Sequence, residues 1–131
     1  MNTDTSRKTM TLRLGMFLFL LSSAVSAGPI ERLTLAASPV SSFAPANLVV
    51  RVHVAPDPAN RSLEVIAESS DYFRSSRMQL DGEDAPKTIT LEFRGLPQGD
   101  YAVRGRLIDS AGHERAIVRR QVLVLGSAGG P

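Results

Sequence analysis

The 131-residue chain contains no cysteine and no tryptophan, and only 5% of its residues are aromatic. The missing cysteine excludes a disulfide framework, a thiolate nucleophile and thiolate metal ligands. Small exported domains often rely on disulfides, so whatever folds here must hold together by apolar packing. Histidine is nearly as scarce, with His53 and His113 alone available for a Ser-His-Asp arrangement or an imidazole site. Lysine beyond the first segment is limited to Lys87. A surplus of either charge is also missing: past residue 27, with Arg7, Lys8, Arg13 and Asp4 set aside, 12 bases face 12 acids. A nucleic-acid binder would show a basic excess, so that class of partner is not expected.

The first 27 residues differ in kind from the rest. Arg7, Lys8 and Arg13 precede the apolar run "LGMFLFLLSSAVSA", which ends in the small-x-small triplet Val25-Ser26-Ala27. This order describes a cleavable signal peptide with its cut after Ala27. A membrane anchor needs about 20 apolar residues, and the run from Leu14 to Ala27 has 14. The membrane is therefore met only during export, and a periplasmic or secreted product is expected. Cleavage removes 27 of the 131 residues and leaves 104, the size of one domain. The tail "GSAGGP", residues 126–131, reads as disordered.

Hydrophobic period two dominates the remainder. Leu48, Val50, Val52 and Val54 fall on one face of "NLVVRVHV"; Leu63, Val65 and Ala67 on one face of "RSLEVIAES", with Ile66 opposite; Ile89, Leu91 and Phe93 on one face of "KTITLEF". "RLTLAAS", a short "RMQLDG", "YAVRGRLID" and "ERAIVRRQVLVL" complete seven runs. Arg119-Arg120 breaks the alternation of the last, where a β-bulge is expected. Turn-rich stretches such as "SPVSSFAPA", "APDPAN", "DGEDAP" and "DSAGHE" separate the runs. Seven strands at such spacing predict an all-β antiparallel sandwich over residues 28–125.

One stretch is more specific. "LPQGDYAVRGRLIDSAGHE" sets Leu96 and Pro97 in a corner, Tyr101 just after it, and a turn on Asp109 and Gly112 at its end. It resembles the corner and following hairpin of fibronectin type III and related bacterial Ig-like domains. That resemblance implies that the Tyr101 hydroxyl bonds to backbone a few residues upstream. It also implies a binding or spacer module, without naming its ligand.

No catalytic constellation emerges, and no cofactor is called for. His53 lies on a strand and His113 in a turn, and no serine occupies a strand-to-helix elbow. The loops 55–60, 81–86 and 109–114 would meet at one pole of an Ig-like sandwich. Asp57, Asp81, Asp84, Asp109 and Glu114 are gathered there as oxygen donors of the kind calcium takes. The same residues are favoured in turns because they bond nearby backbone, and that role is the expected one. Glu64 and Glu68 beside Arg104 and Arg106 predict cross-strand ion pairs; with Ile66 and the adjacent Tyr72 and Phe73, the same face is a candidate partner surface. The expected function is that of an exported, non-catalytic module contacting an envelope protein, with a glycan- or cation-binding module as the alternative.

Overall fold

The computed structural model describes residues 31–126. The predicted signal peptide with its cleavage site at Ala27, and all of the predicted tail except Gly126, lie outside the described residues. Within them run eight strands: β1 (Leu33–Ser38), β2 (Ser41–Phe43), β3 (Ala46–Val54), β4 (Ser62–Glu68), β5 (Phe73–Gln79), β6 (Thr88–Leu96), β7 (Gly99–Ile108) and β8 (Glu114–Leu125). They form two sheets, a three-stranded one in the order β1-β3-β6 and a five-stranded one in the order β2-β8-β7-β4-β5. No helix among the described residues is long and apolar enough to cross a membrane.

Alternation builds the core. Leu48, Val50, Val52 and Val54 of β3 are buried against Leu63, Val65 and Ala67 of β4 and Tyr101, Val103 and Leu107 of β7. Each buried aliphatic or aromatic side chain contributes roughly 1.5–3 kcal/mol of transfer free energy. That supply replaces the absent disulfides. Between Val103 and Leu107 the inward position is Gly105, where a Cβ would stand 3.1 Å from the Leu35 Cδ1 of the facing sheet. The two layers approach closely at that point because the side chain is missing.

Three expectations about the strands need correction. The count is eight, not seven: the stretch read as the turn "SPVSSFAPA" contains β2, which pairs parallel with Leu123–Leu125. Three residues are too few to show periodicity, so backbone bonds define the strand: Leu123 N donates to Val40 O and Ala44 N to Leu125 O. Second, β5 begins at Phe73, well before "RMQLDG". It is an edge strand with mostly exposed side chains, so it lacks the apolar alternation of a two-sided strand.

Third, there is no bulge at Arg119-Arg120; the register passes unbroken through Arg104↔Arg119 and Val103↔Arg120. Arg120 keeps the inward phase yet is exposed, so the polar side chain never enters the core. The irregularity falls instead where Leu107↔Ala116 is followed by Ile108↔Glu114, which leaves Arg115 as the extra residue. The stretch "DGEDAP" is a turn as expected, built on one short 3-10 turn, Gly82–Asp84.

A second irregularity shapes the corner. Ala46↔Leu96 and Leu48↔Phe93 leave an extra residue on β6, where Gly95 takes φ +69°. Glycine adopts that conformation without steric cost. The Gly95 N–H, displaced from the ladder, donates to Asn47 Oδ1 at 3.1 Å. The chain then crosses through Pro97 to β7 in the other sheet.

Candidate functional site

Tyr101 follows that crossing. Its side chain is fully buried, and its hydroxyl donates to the Pro97 carbonyl at 2.7 Å. Burial pushes the phenol above its ordinary pKa, so it remains a donor at any physiological pH. Tyr72 stands edge-on to it, ring centroids 6.4 Å apart, and packs against the core. Of the adjacent aromatic pair, Tyr72 thus closes the core while Phe73 is 57% exposed. Tyr72→Ala should therefore lower the melting temperature several-fold more than Phe73→Ala, as thermal unfolding of the two variants would show.

The outer face of the five-stranded sheet carries a network of charges. Arg106 of β7 bonds Glu64 of β4 at 2.6 Å and Glu114 of β8 at 2.8 Å. Those two bonds raise the Arg106 pKa further and fix the guanidinium across three strands. Arg104 bonds Glu68 at 2.8 Å. Beside Arg104 in the register lies Ile66. It is on the outer face as expected, but it is buried, as is Ile108. Arginine stems cover apolar surface readily, so Ile66 is corrected from a partner-surface residue to one closed within the sheet's own lattice.

The exposed apolar side chains of this face lie elsewhere. Leu123 and Leu125 alternate outward from the buried Val122 and Val124, and Phe43 pairs with Leu125 across β2–β8. Ile117 is also exposed on this face of β8, opposite Arg106, with Arg119 and Gln121 between it and Leu123. Sequence reasoning missed Phe43, Leu123 and Leu125 because β2 was invisible to it. Without β2, the outward positions near the end of β8 read as an ordinary strand terminus.

The three loops of the expected pole do meet, and three of the five expected carboxylates, those of Asp57, Asp109 and Glu114, are engaged. Asp57 accepts from Ala59 N at 2.8 Å and pairs with Arg115 at 2.8 Å. The bulge at Arg115 is what sets that side chain out of the strand's alternation, a common use of bulges. Glu114 is held by Arg106. Asp81 contributes its backbone carbonyl, which accepts the Asp84 N–H within the 3-10 turn, and its side chain makes no cap bond there. Asn60, 1% exposed, donates from Nδ2 to Ala55 O, while its backbone carbonyl accepts from Gly82 N. Among the described residues, no three His, Cys, Asp or Glu side chains come together as a metal-holding group.

Asp109 accepts from Ala111 N at 2.9 Å and His113 N at 2.8 Å, closing the β7–β8 turn. The His113 N–H above all holds its carboxyl below the usual value. A carboxyl whose folded pKa lies below its unfolded value, about 3.9, stabilises above that value and loses its contribution as pH falls through the folded pKa. The melting-temperature gap between wild type and Asp109→Ala should therefore be full at pH 6 and shrink as pH falls below about 4.

No protein-family model matches the chain, and no curated protein matches it in sequence. Among solved structures, a superoxide reductase (neelaredoxin) from Ignicoccus hospitalis is similar, with TM-score 0.57 at 16% identity over 72% of this chain and 80% of that one. A PKD domain of an M14-like peptidase from a Thermoplasmatales archaeon gives 0.50 at 15% identity over 76% and 99%. The fold is an Ig-like β-sandwich. At such identity the likeness speaks to architecture alone.

Proposed function

We propose that the chain is an exported, non-catalytic Ig-like module, periplasmic or secreted, that binds a protein partner through the outer face of its five-stranded sheet. Export rests on the signal-peptide pattern of residues 1–27. The observation that carries the interaction role is the grouping of Phe43, Leu123 and Leu125, exposed by 54%, 42% and 37%, on adjacent strands of one face. Scattered surface leucines need no explanation, whereas neighbouring ones with a phenylalanine mark contact surfaces. Asp100, opposite Leu123 in the register and bonded to Gln121, gives this patch a polar border of the kind interfaces carry at their rim.

The test is affinity capture from envelope extract by the full chain and by Phe43→Asp, read by quantitative mass spectrometry. One stoichiometric partner, depleted at least tenfold on the variant while its melting temperature stays unchanged, is the expected result. Equal recovery on both proteins would remove this face from the interaction.

A further inference from the structure

Resting on that reading of the outer face, the register raises a question of charge. Arg119 of β8 and Arg104 of β7 are directly opposite one another. Side chains so placed have Cβ atoms about 4.5–5.5 Å apart, and like charges there are destabilising. Arg104 shares its charge with Glu68 through a bond at 2.8 Å. The Arg119 guanidinium has no ion pair or hydrogen bond among the described residues. An exposed cation is thus held beside another cation, in a network where the neighbouring Arg106 is neutralised twice over.

Two aliphatic side chains flank this spot on the same strand and face. Ile117 is 41% and Leu123 42% exposed. At a strand rise of about 3.3 Å, they stand about 7 Å and 13 Å from Arg119. Nearby acids decide between kinds of anion. Glu68, with 48% of its side chain exposed, and Asp100, bonded to Gln121, sit on the same face. A polyanion laid across it would meet both. A single carboxylate entering at the arginine pair from the β8 side avoids Asp100 and meets only Glu68, whose charge Arg104 already balances, and two guanidinium groups suit a carboxylate's paired oxygens.

We propose that the outer face of β7 and β8 binds a protein segment through one acidic side chain seated between Arg104 and Arg119, with aliphatic neighbours resting on Ile117 and Leu123.

A random dodecamer library displayed on phage and selected on the immobilised full chain tests this. The enriched peptides should carry Asp or Glu with an aliphatic residue on each side. Their affinity should fall at least tenfold for Arg119→Glu and for the milder Arg119→Gln, and should weaken as salt rises. Replacing the peptide's acid by lysine should restore binding to Arg119→Glu while abolishing it for wild type. Arg119→Glu should melt at or above wild type, by up to about 6 °C, because the like-charge pair becomes an opposite one. Should it fail to fold, Arg119→Gln alone decides.

Enriched peptides without an acid, peptides indifferent to both substitutions, no enrichment at all, or binding of heparin in place of peptides would each overturn the proposal. The interaction role stands or falls separately: envelope capture that is lost on Phe43→Asp but unchanged on Arg119→Gln would sink the arginine seat and leave the module's role intact.

Discussion

Replacing Tyr101 by phenylalanine should lower stability by about 1–3 kcal/mol, the cost of leaving a buried acceptor without its donor. At about 4–8 °C per kcal/mol for a domain of this size, the melting temperature should drop measurably. Tyr101→Ala should cost more, about 3–5 kcal/mol, because the ring also fills the core beside Tyr72. The difference between the two variants separates the latch from the packing. The bond at 2.7 Å has the ordinary O–H···O length, and the ring is wholly enclosed. A Tyr101→Phe variant melting within a degree of wild type would show that the corner is held by the Gly95 bulge and core packing alone.

Gly105 opposes two effects of known size. Any side chain there should gain about 0.5–1 kcal/mol, the cost of glycine in a strand interior. Against that stands the Leu35 Cδ1 at 3.1 Å from the new Cβ, with Val118 Cγ1 at 3.6 Å and Leu33 Cδ2 at 3.7 Å. Alanine needs only a small shift of the leucine tip, so Gly105→Ala should be close to neutral. Valine adds two methyl groups between layers that have no room for them, and overpacking of this kind costs about 1–3 kcal/mol. Urea denaturation of both variants should show a clear loss of midpoint for valine alone. Equal behaviour of the two would mean that the small sheet slides over the large one without resistance.

Much of the architecture was legible because burial on one face writes itself as alternation. Val50, Val52 and Val54 announce β3, and Ile89 and Phe93 announce β6, because one side of each meets the core. β5 and β2 were hard to read for the same reason. The exposed edge of Phe73–Gln79 and the three residues of β2 are set by backbone pairing, which leaves little trace in side-chain chemistry. The bulge shows a different limit. Two adjacent arginines suggested a break at 119–120, but Arg120 finds solvent from an inward phase, while the displaced residue, Arg115, is aimed at Asp57 in a loop 58 positions away. Of the candidate surface, the pairs on Glu64 and Glu68 could be foreseen from composition along neighbouring strands. The opposition of Arg104 and Arg119 could not, since it depends on a register fixed by the turn at Asp109.

The attachment of β2 bears on how the module would carry tension. β1 belongs to one sheet and β2 to the other, and β2 runs parallel to β8, the final strand. A pull between Glu31 and Gly126 therefore acts lengthwise, sliding β1 along β3 and β2 along β8. The bonds from Leu123 to Val40 and from Ala44 to Leu125 take such a load together instead of unzipping one by one. A tethered domain built this way resists being drawn out by its ends.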